Sequence, residues 1–222
     1  MIRVLIADDQ ALVRAGLAAL LDSQPDIEVV GTAADGDQAV AMARELRPDV
    51  ACVDVRMPGR DGISVTRELS STSTGTAIPV LILTTFAIDD YVFAALEAGA
   101  AGFMLKDSEP EDIVAAIRTV AAGNGTLDAS LTRTVIREFS RRRQTMPVTV
   151  TNPSEILSPR ELDILLLLSQ GLSNEDIART LVLEVSTVKS HISRMLPKIG
   201  VSSRLQAVVW AYQHRVVDIQ QQ

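Results

Sequence analysis

Apolar and polar positions follow one rhythm up to about residue 121 and another after it. In the first part, short apolar runs at 3–7, 28–32, 50–53, 80–83 and 102–105 alternate with stretches at 12–21, 36–46, 62–69, 89–98 and 110–121, where apolar residues recur at helical spacing. Short runs with little internal polarity suit strands covered on both faces. Five strand–helix units in succession predict an α/β fold: a doubly wound, five-stranded parallel sheet with right-handed crossovers and strand order 2-1-3-4-5.

Past residue 121 only helical patterns remain. Gly123-Asn124-Gly125 ends the fifth helix, and 130–143 fits a further helix with Val135, Ile136 and Phe139 apolar and Arg141-Arg142-Arg143 at its end. Gln144 to Glu155, rich in Thr, Pro and Val, has no periodicity and reads as a linker. Leu157-Ser158-Pro159-Arg160-Glu161 is a helix start, with Ser158 as N-cap, Pro159 in the first position and Glu161 in the third. Ser173 and Asp176 form a second such start. Patterns at 185–199 and 204–214 follow. Two helices across a tight turn, the second carrying Ser, Thr and Lys, predict a helix-turn-helix. The expected organisation is one domain over 1–124, a linker over 125–154 and a small all-α domain over 155–222.

Charge sharpens this division. Residues 1–125 hold 19 acidic and 9 basic residues (−10), and residues 126–222 hold 9 and 12 (+3), which returns the net −7 of the chain. Two halves of opposite sign point to different partners. No apolar run approaches the ~20 residues that span a bilayer. Met1-Ile2-Arg3-Val4 leads directly into the first strand without a signal-peptide layout, and the lone Cys52 sits in an apolar run, so a cytoplasmic protein is expected.

The candidate chemistry lies at the strand exits. Asp8-Asp9, Asp54, Thr84 and Lys106 follow the first, third, fourth and fifth strands, which lie side by side in the order 2-1-3-4-5. Crowded carboxylates need a cation to stay ionised together, and an all-oxygen set suits Mg²⁺. A carboxylate beside a metal can attack a phosphoryl group; Lys106 supplies a point charge and Thr84 a hydroxyl. No Gly-x-Ser-x-Gly elbow is present, and His191 and His214 lie far downstream.

Asp8-Asp9, Asp54 with Met57-Pro58-x-x-Asp61-Gly62, Leu83-Thr84 and Leu105-Lys106-Asp107 resemble the receiver domain of two-component response regulators over roughly residues 1 to 122. The resemblance implies a flavodoxin-like fold with Asp54 as phospho-acceptor. It implies Asp9, Asp54 and the backbone carbonyl of Arg56 as Mg²⁺ ligands, with Asp8 acting through water. Thr84 and Phe103 would then be a switch pair, although Phe103 also suits an ordinary core position. Asp107 stands where many receivers carry Pro.

Leu157-Ser-Pro-Arg-Glu161, Gln170-Gly-Leu-Ser-Asn174, Ile177-Ala178, Thr187-Val-Lys-Ser-His191 and Lys198-Ile-Gly-Val201 resemble the LuxR-type DNA-binding domain over about 155–217. Together the two resemblances identify the chain as similar to NarL/FixJ-type response regulators. They imply a sensor histidine kinase and double-stranded promoter DNA as partners, a homodimer on phosphorylation, and no membrane partner. By position, Lys189, Ser190 and Ser193 would face base edges, and Ser186, Thr187, Arg194 and Lys198 phosphates. Two residues depart from the pattern: Glu184 is a poor N-cap, and Pro197 inside the recognition helix favours a kink. Two rival readings are a phosphorylation-independent regulator and an aspartate-nucleophile phosphatase. The intact acidic set opposes the first. The lack of an Asp-x-Asp pattern on the first strand and the unexplained residues 155–217 oppose the second.

Overall fold

A computed structural model describes residues 1–71, 77–85, 89–127, 153–214 and 216–217. The chain divides into two compact units, residues 1–131 and 132–222. The expected helix at 130–143 lies outside the described residues.

In the first unit, strands β1 (Ile2–Ala7), β2 (Ile27–Ala33), β3 (Val50–Asp54), β4 (Val80–Thr84) and β5 (Gly102–Leu105) alternate with helices α1 (Ala11–Asp22), α2 (Gly36–Leu46), α3 (Gly62–Leu69), α4 (Asp89–Glu97) and α5 (Pro110–Ala121). The sheet is parallel and runs 2-1-3-4-5 as expected. Every residue of β3 and β4 is buried, as a sheet covered on both faces requires. On one face Val4, Ile6, Val50, Cys52, Leu81, Leu83 and Met104 alternate inward against Leu21 of α1 and Ile113, Ile117 and Val120 of α5. Cys52 is structural: it is buried in this core, and burial pushes its thiol up to about 12.

A sixth strand, β6 (Thr126–Leu127), pairs parallel with β5 and places ordered backbone inside the stretch expected to be linker. Two residues show no strand periodicity, so only the tertiary pairing reveals it. A second correction to that linker is the single helical turn α6 (Pro153–Ile156).

The second unit continues with α7 (Pro159–Ser169), α8 (Asn174–Leu181), α9 (Val185–Lys198) and α10 (Arg204–Gln213). Its core joins Leu157, Ile164, Leu165 and Leu168 to Ile177, Val188, Ile192, Met195 and Trp210. Both expected capping boxes form, Ser158 with Glu161 and Ser173 with Asp176. A third, Ser203 with Gln206, opens α10; its Ser-x-x-Gln signature was readable in the chain. Glu184 caps α9 without a side-chain hydrogen bond, as expected. Pro197 lies inside α9 as expected, one residue before the helix ends, where it has no N–H to give the carbonyl four residues back.

Candidate functional site

Parallel strands bring their C-terminal ends out on one side of the sheet. Asp8 and Asp9 follow β1, Asp54 closes β3, Thr84 closes β4 and Lys106 follows β5. One oxygen from each of Asp8, Asp9 and Asp54 lies within 4.8 Å of the others. Asp8 and Asp54 are buried and Asp9 is exposed. The Lys106 ammonium meets Asp8 Oδ2 at 2.5 Å and Asp54 Oδ2 at 3.1 Å. One ammonium against three carboxylates leaves an excess of negative charge, which a divalent cation would balance. Burial pushes the Asp54 carboxyl above its ordinary value; Lys106 pulls it back only in part, and the Asp8 charge adds to the rise.

The carboxylates are held by backbone. The Gln10 amide donates to Asp8 Oδ1 at 2.9 Å, and Arg14 donates to the Asp8 carbonyl at 2.6 Å. After Asp54 the chain turns back sharply: the Gly62 amide donates to the Val55 carbonyl at 2.9 Å. A Cβ on Gly62 would stand 1.9 Å from the Asp54 carbonyl oxygen, so only glycine allows α3 to start so close to the end of β3. Asp61, the N-cap of α3, accepts from the Ser64 amide at 2.7 Å. The resulting cleft is lined by Asp9, Gln10, Asp54, Arg56, Met57, Pro58 and Thr85.

Thr84 and Phe103 are both buried. Phe103 registers against Ile82, two residues before Thr84, so the two side chains share one face of the sheet on adjacent strands. Gln10, Arg14 and Thr85 were not singled out in the sequence. Gln10 meets Asp8 through its backbone amide, a donor that every non-proline residue carries, so no sequence signal marks it. The reach of Arg14 depends on the packing of α1 and leaves no sequence signal.

In the second unit, Ser186, Lys189, Ser190, Ser193 and Arg194 are exposed on α9 and Thr187 is half-buried. They line the side opposite Val188, Ile192 and Met195, which face the core. Arg194 donates to the Ser190 carbonyl at 3.1 Å, and among the described residues neither Lys189 nor Arg194 meets a carboxylate within 4.0 Å. Lys198 differs: its ammonium lies 2.8 Å from both carboxylate oxygens of Glu161. Arg204 is turned inward, donating to Asn174 at 2.8 Å and to the Leu172 carbonyl, and burial lowers its guanidinium to about 10.

Residues 4–118 match the response regulator receiver domain, and residues 155–211 match the luxR family of bacterial regulatory proteins. The transcriptional regulatory protein LiaR of Bacillus subtilis is 41% identical over 218 residues, covering 98% of this chain and all of that protein. The oxygen regulatory protein NreC of Staphylococcus epidermidis is 39% identical, covering 97% of this chain and 99% of its own. Among solved structures, the response regulator ChrA of a heme-sensing two-component system superposes with a TM-score of 0.52 at 38% identity, covering 97% of this chain and 98% of its own. Two family segments in one order, on a sheet and a helix-turn-helix that carry the matching residues, place this chain in the LuxR family of two-component response regulators, as a DNA-binding transcriptional regulator.

Proposed function

We propose that Asp54 is the phospho-acceptor of this regulator, and that its phosphorylation by a sensor histidine kinase controls dimerisation and promoter binding. The observation that carries the reading is the cluster of Asp8, Asp9 and Asp54 with a single lysine between two of them. The Asp54 carboxylate oxygen forms a bond to phosphorus as the phosphorus–nitrogen bond of a phosphohistidine breaks, and the imidazole leaves with the electron pair. Asp9, Asp54 and the Arg56 carbonyl would hold Mg²⁺, with Asp8 acting through water. The ion, when bound, neutralises charge on the transferring group. Lys106, already at Asp54, would turn its ammonium to a phosphoryl oxygen, and the Thr84 hydroxyl would join it.

The phosphoryl group adds roughly −1.5 to −2 charge beside Thr84 and Phe103. Their shared sheet face supports the reading of these two as the switch pair. On the second unit, Ser186, Thr187, Lys189, Ser190, Ser193 and Arg194 form the DNA face, with Lys189, Ser190 and Ser193 at base edges. A chain that serves a kinase and promoter DNA works in the cytoplasm; among the described residues no helix is long and apolar enough to cross a membrane.

Intact mass after incubation with Mg²⁺ and acetyl phosphate tests the central claim, with size-exclusion on the same samples. The wild type is expected to gain one phosphoryl group and the dimer, and Asp54→Ala neither. Promoter binding by Asp54→Ala as tight as that of the phosphorylated wild type would refute phosphorylation control.

A further inference from the structure

We infer that Lys198 is a positioning residue that clasps the end of α9 to the start of α7, and is not one of the phosphate contacts. The inference rests on the reading of α9 as the DNA face. Glu161, at the third position of α7, is buried at 4% exposure. Its Oε2 accepts from the Ser158 amide at 2.8 Å and the Ser158 hydroxyl at 2.9 Å. Lys198 Nζ then lies 2.8 Å from each carboxylate oxygen. The carboxylate is thus fully engaged, by its own N-cap on one side and by a residue 37 positions away on the other.

At about 100° per residue, Lys198 lies beside Thr187 and Arg194, on the edge of the DNA face nearest the core, so what sets it apart is its partner and not its place on the helix. Ile199, the next residue, is buried. The α7 and α9 cores meet through Ile164, Leu165, Ile192 and Met195, and the ion pair adds a directional contact at the end of that packing. A phosphate contact by Lys198 would take from a buried carboxylate its only cation among the described residues. The hydrogen bonds also leave their mark on acidity. Burial alone would push the Glu161 carboxyl up, yet the bonds from Lys198 and Ser158 together hold it at about 2.

Salt dependence separates a clasp from a phosphate contact. Each phosphate that a cation neutralises contributes about 0.9 to the slope of log K against log salt. The full chain, with Mg²⁺ and acetyl phosphate, is titrated against a labelled mixed-sequence duplex between about 50 and 200 mM salt. Arg194→Met, at the other cation placed for phosphates, is expected to lower the slope by about 0.9 per copy, and Lys198→Met to leave it unchanged while weakening binding. A loss of about 0.9 in Lys198→Met overturns the inference. An unchanged slope in Arg194→Met, or no binding by the wild type at the lowest salt, overturns instead the reading of α9 as the DNA face. Melting followed by the fluorescence of Trp210, the sole tryptophan and a core residue of this unit, supplies a readout without DNA. Glu161→Gln and Lys198→Met each lower the midpoint, and the double variant is expected to melt no lower than the weaker single. Additive losses overturn the clasp.

Discussion

Asp54 and Glu161 are both buried carboxylates, at 6% and 4% exposure, and each meets a lysine. Their surroundings drive them in opposite directions. Glu161 has Lys198 to itself and accepts two further hydrogen bonds from Ser158, so it stays ionised far below the usual carboxylate range. Asp54 shares Lys106 with Asp8 and stands beside Asp9, and burial wins: its acidity is weakened. A satisfied carboxylate holds structure. An under-compensated one, at the mouth of a cleft, leaves electrostatic room for a cation and an electrophile.

The contrast can be broken by mutation, starting with the largest effect. Glu161→Ala removes an ion pair and a capping box, and is expected to destabilise the DNA-binding unit by about 2–3 kcal/mol, read from urea unfolding by Trp210 fluorescence. Because the Lys198 side chain is 43% exposed, most of that loss comes from the Ser158 bonds and the buried carboxylate, with the ion pair screened by solvent. Asp54→Asn has the opposite sign. Removing one of three crowded charges is expected to stabilise the receiver, seen as slower amide exchange in β1 and β3.

Acidity sharpens the same contrast. For Glu161, with a folded value of about 2 against an ordinary 4.5, the stabilisation is complete above pH 4.5 and is lost as pH falls toward 2. The wild type is therefore more stable than Glu161→Gln near neutrality, and the gap closes over that window. For Asp54, whose folded value is raised, ionisation near neutrality works against the fold, and protonation as pH falls relieves it. Asp54→Asn is more stable than the wild type near neutrality, and this gap closes on acidification from the other side. Unfolding midpoints of both pairs across pH check the two signs together; gaps of the same sign would dissolve the distinction.

The smallest effect concerns the turn between α8 and α9. Val182 is 90% exposed and caps α8 at φ 54°, a left-handed conformation that strains a β-branched residue. Val182→Gly is expected to stabilise the unit by about 1 kcal/mol, measured by the same fluorescence midpoint. A destabilised variant would show that the Val182 side chain makes a contact that outweighs its backbone strain.

Much of the architecture was legible because it rests on local rules. Apolar runs announced β1 to β5, and Ser158 and Ser173 announced the starts of α7 and α8. The pocket was legible as well, since sheet order alone brings Asp8, Asp9, Asp54, Thr84 and Lys106 to one side. What escaped depends on distance in the chain. The pairing of Glu161 with Lys198 spans 37 residues and leaves no local signal. Arg14 at the Asp8 carbonyl likewise follows from packing.

The two-residue strand β6 bears on where the receiver can be severed. Thr126 and Leu127 register against Gly102 and Phe103, and the Thr126 amide donates to the Ala101 carbonyl at 3.2 Å. Among the described residues β5 is otherwise the last strand of the sheet. A fragment ending at residue 118, where the family match stops, or at 124, would bare the outer amides and carbonyls of β5, a template for intermolecular strand pairing. Cutting after Leu127 keeps the pairing of Gly102 and Phe103 and leaves only a two-residue edge, so a receiver fragment that retains this cover extends past both boundaries.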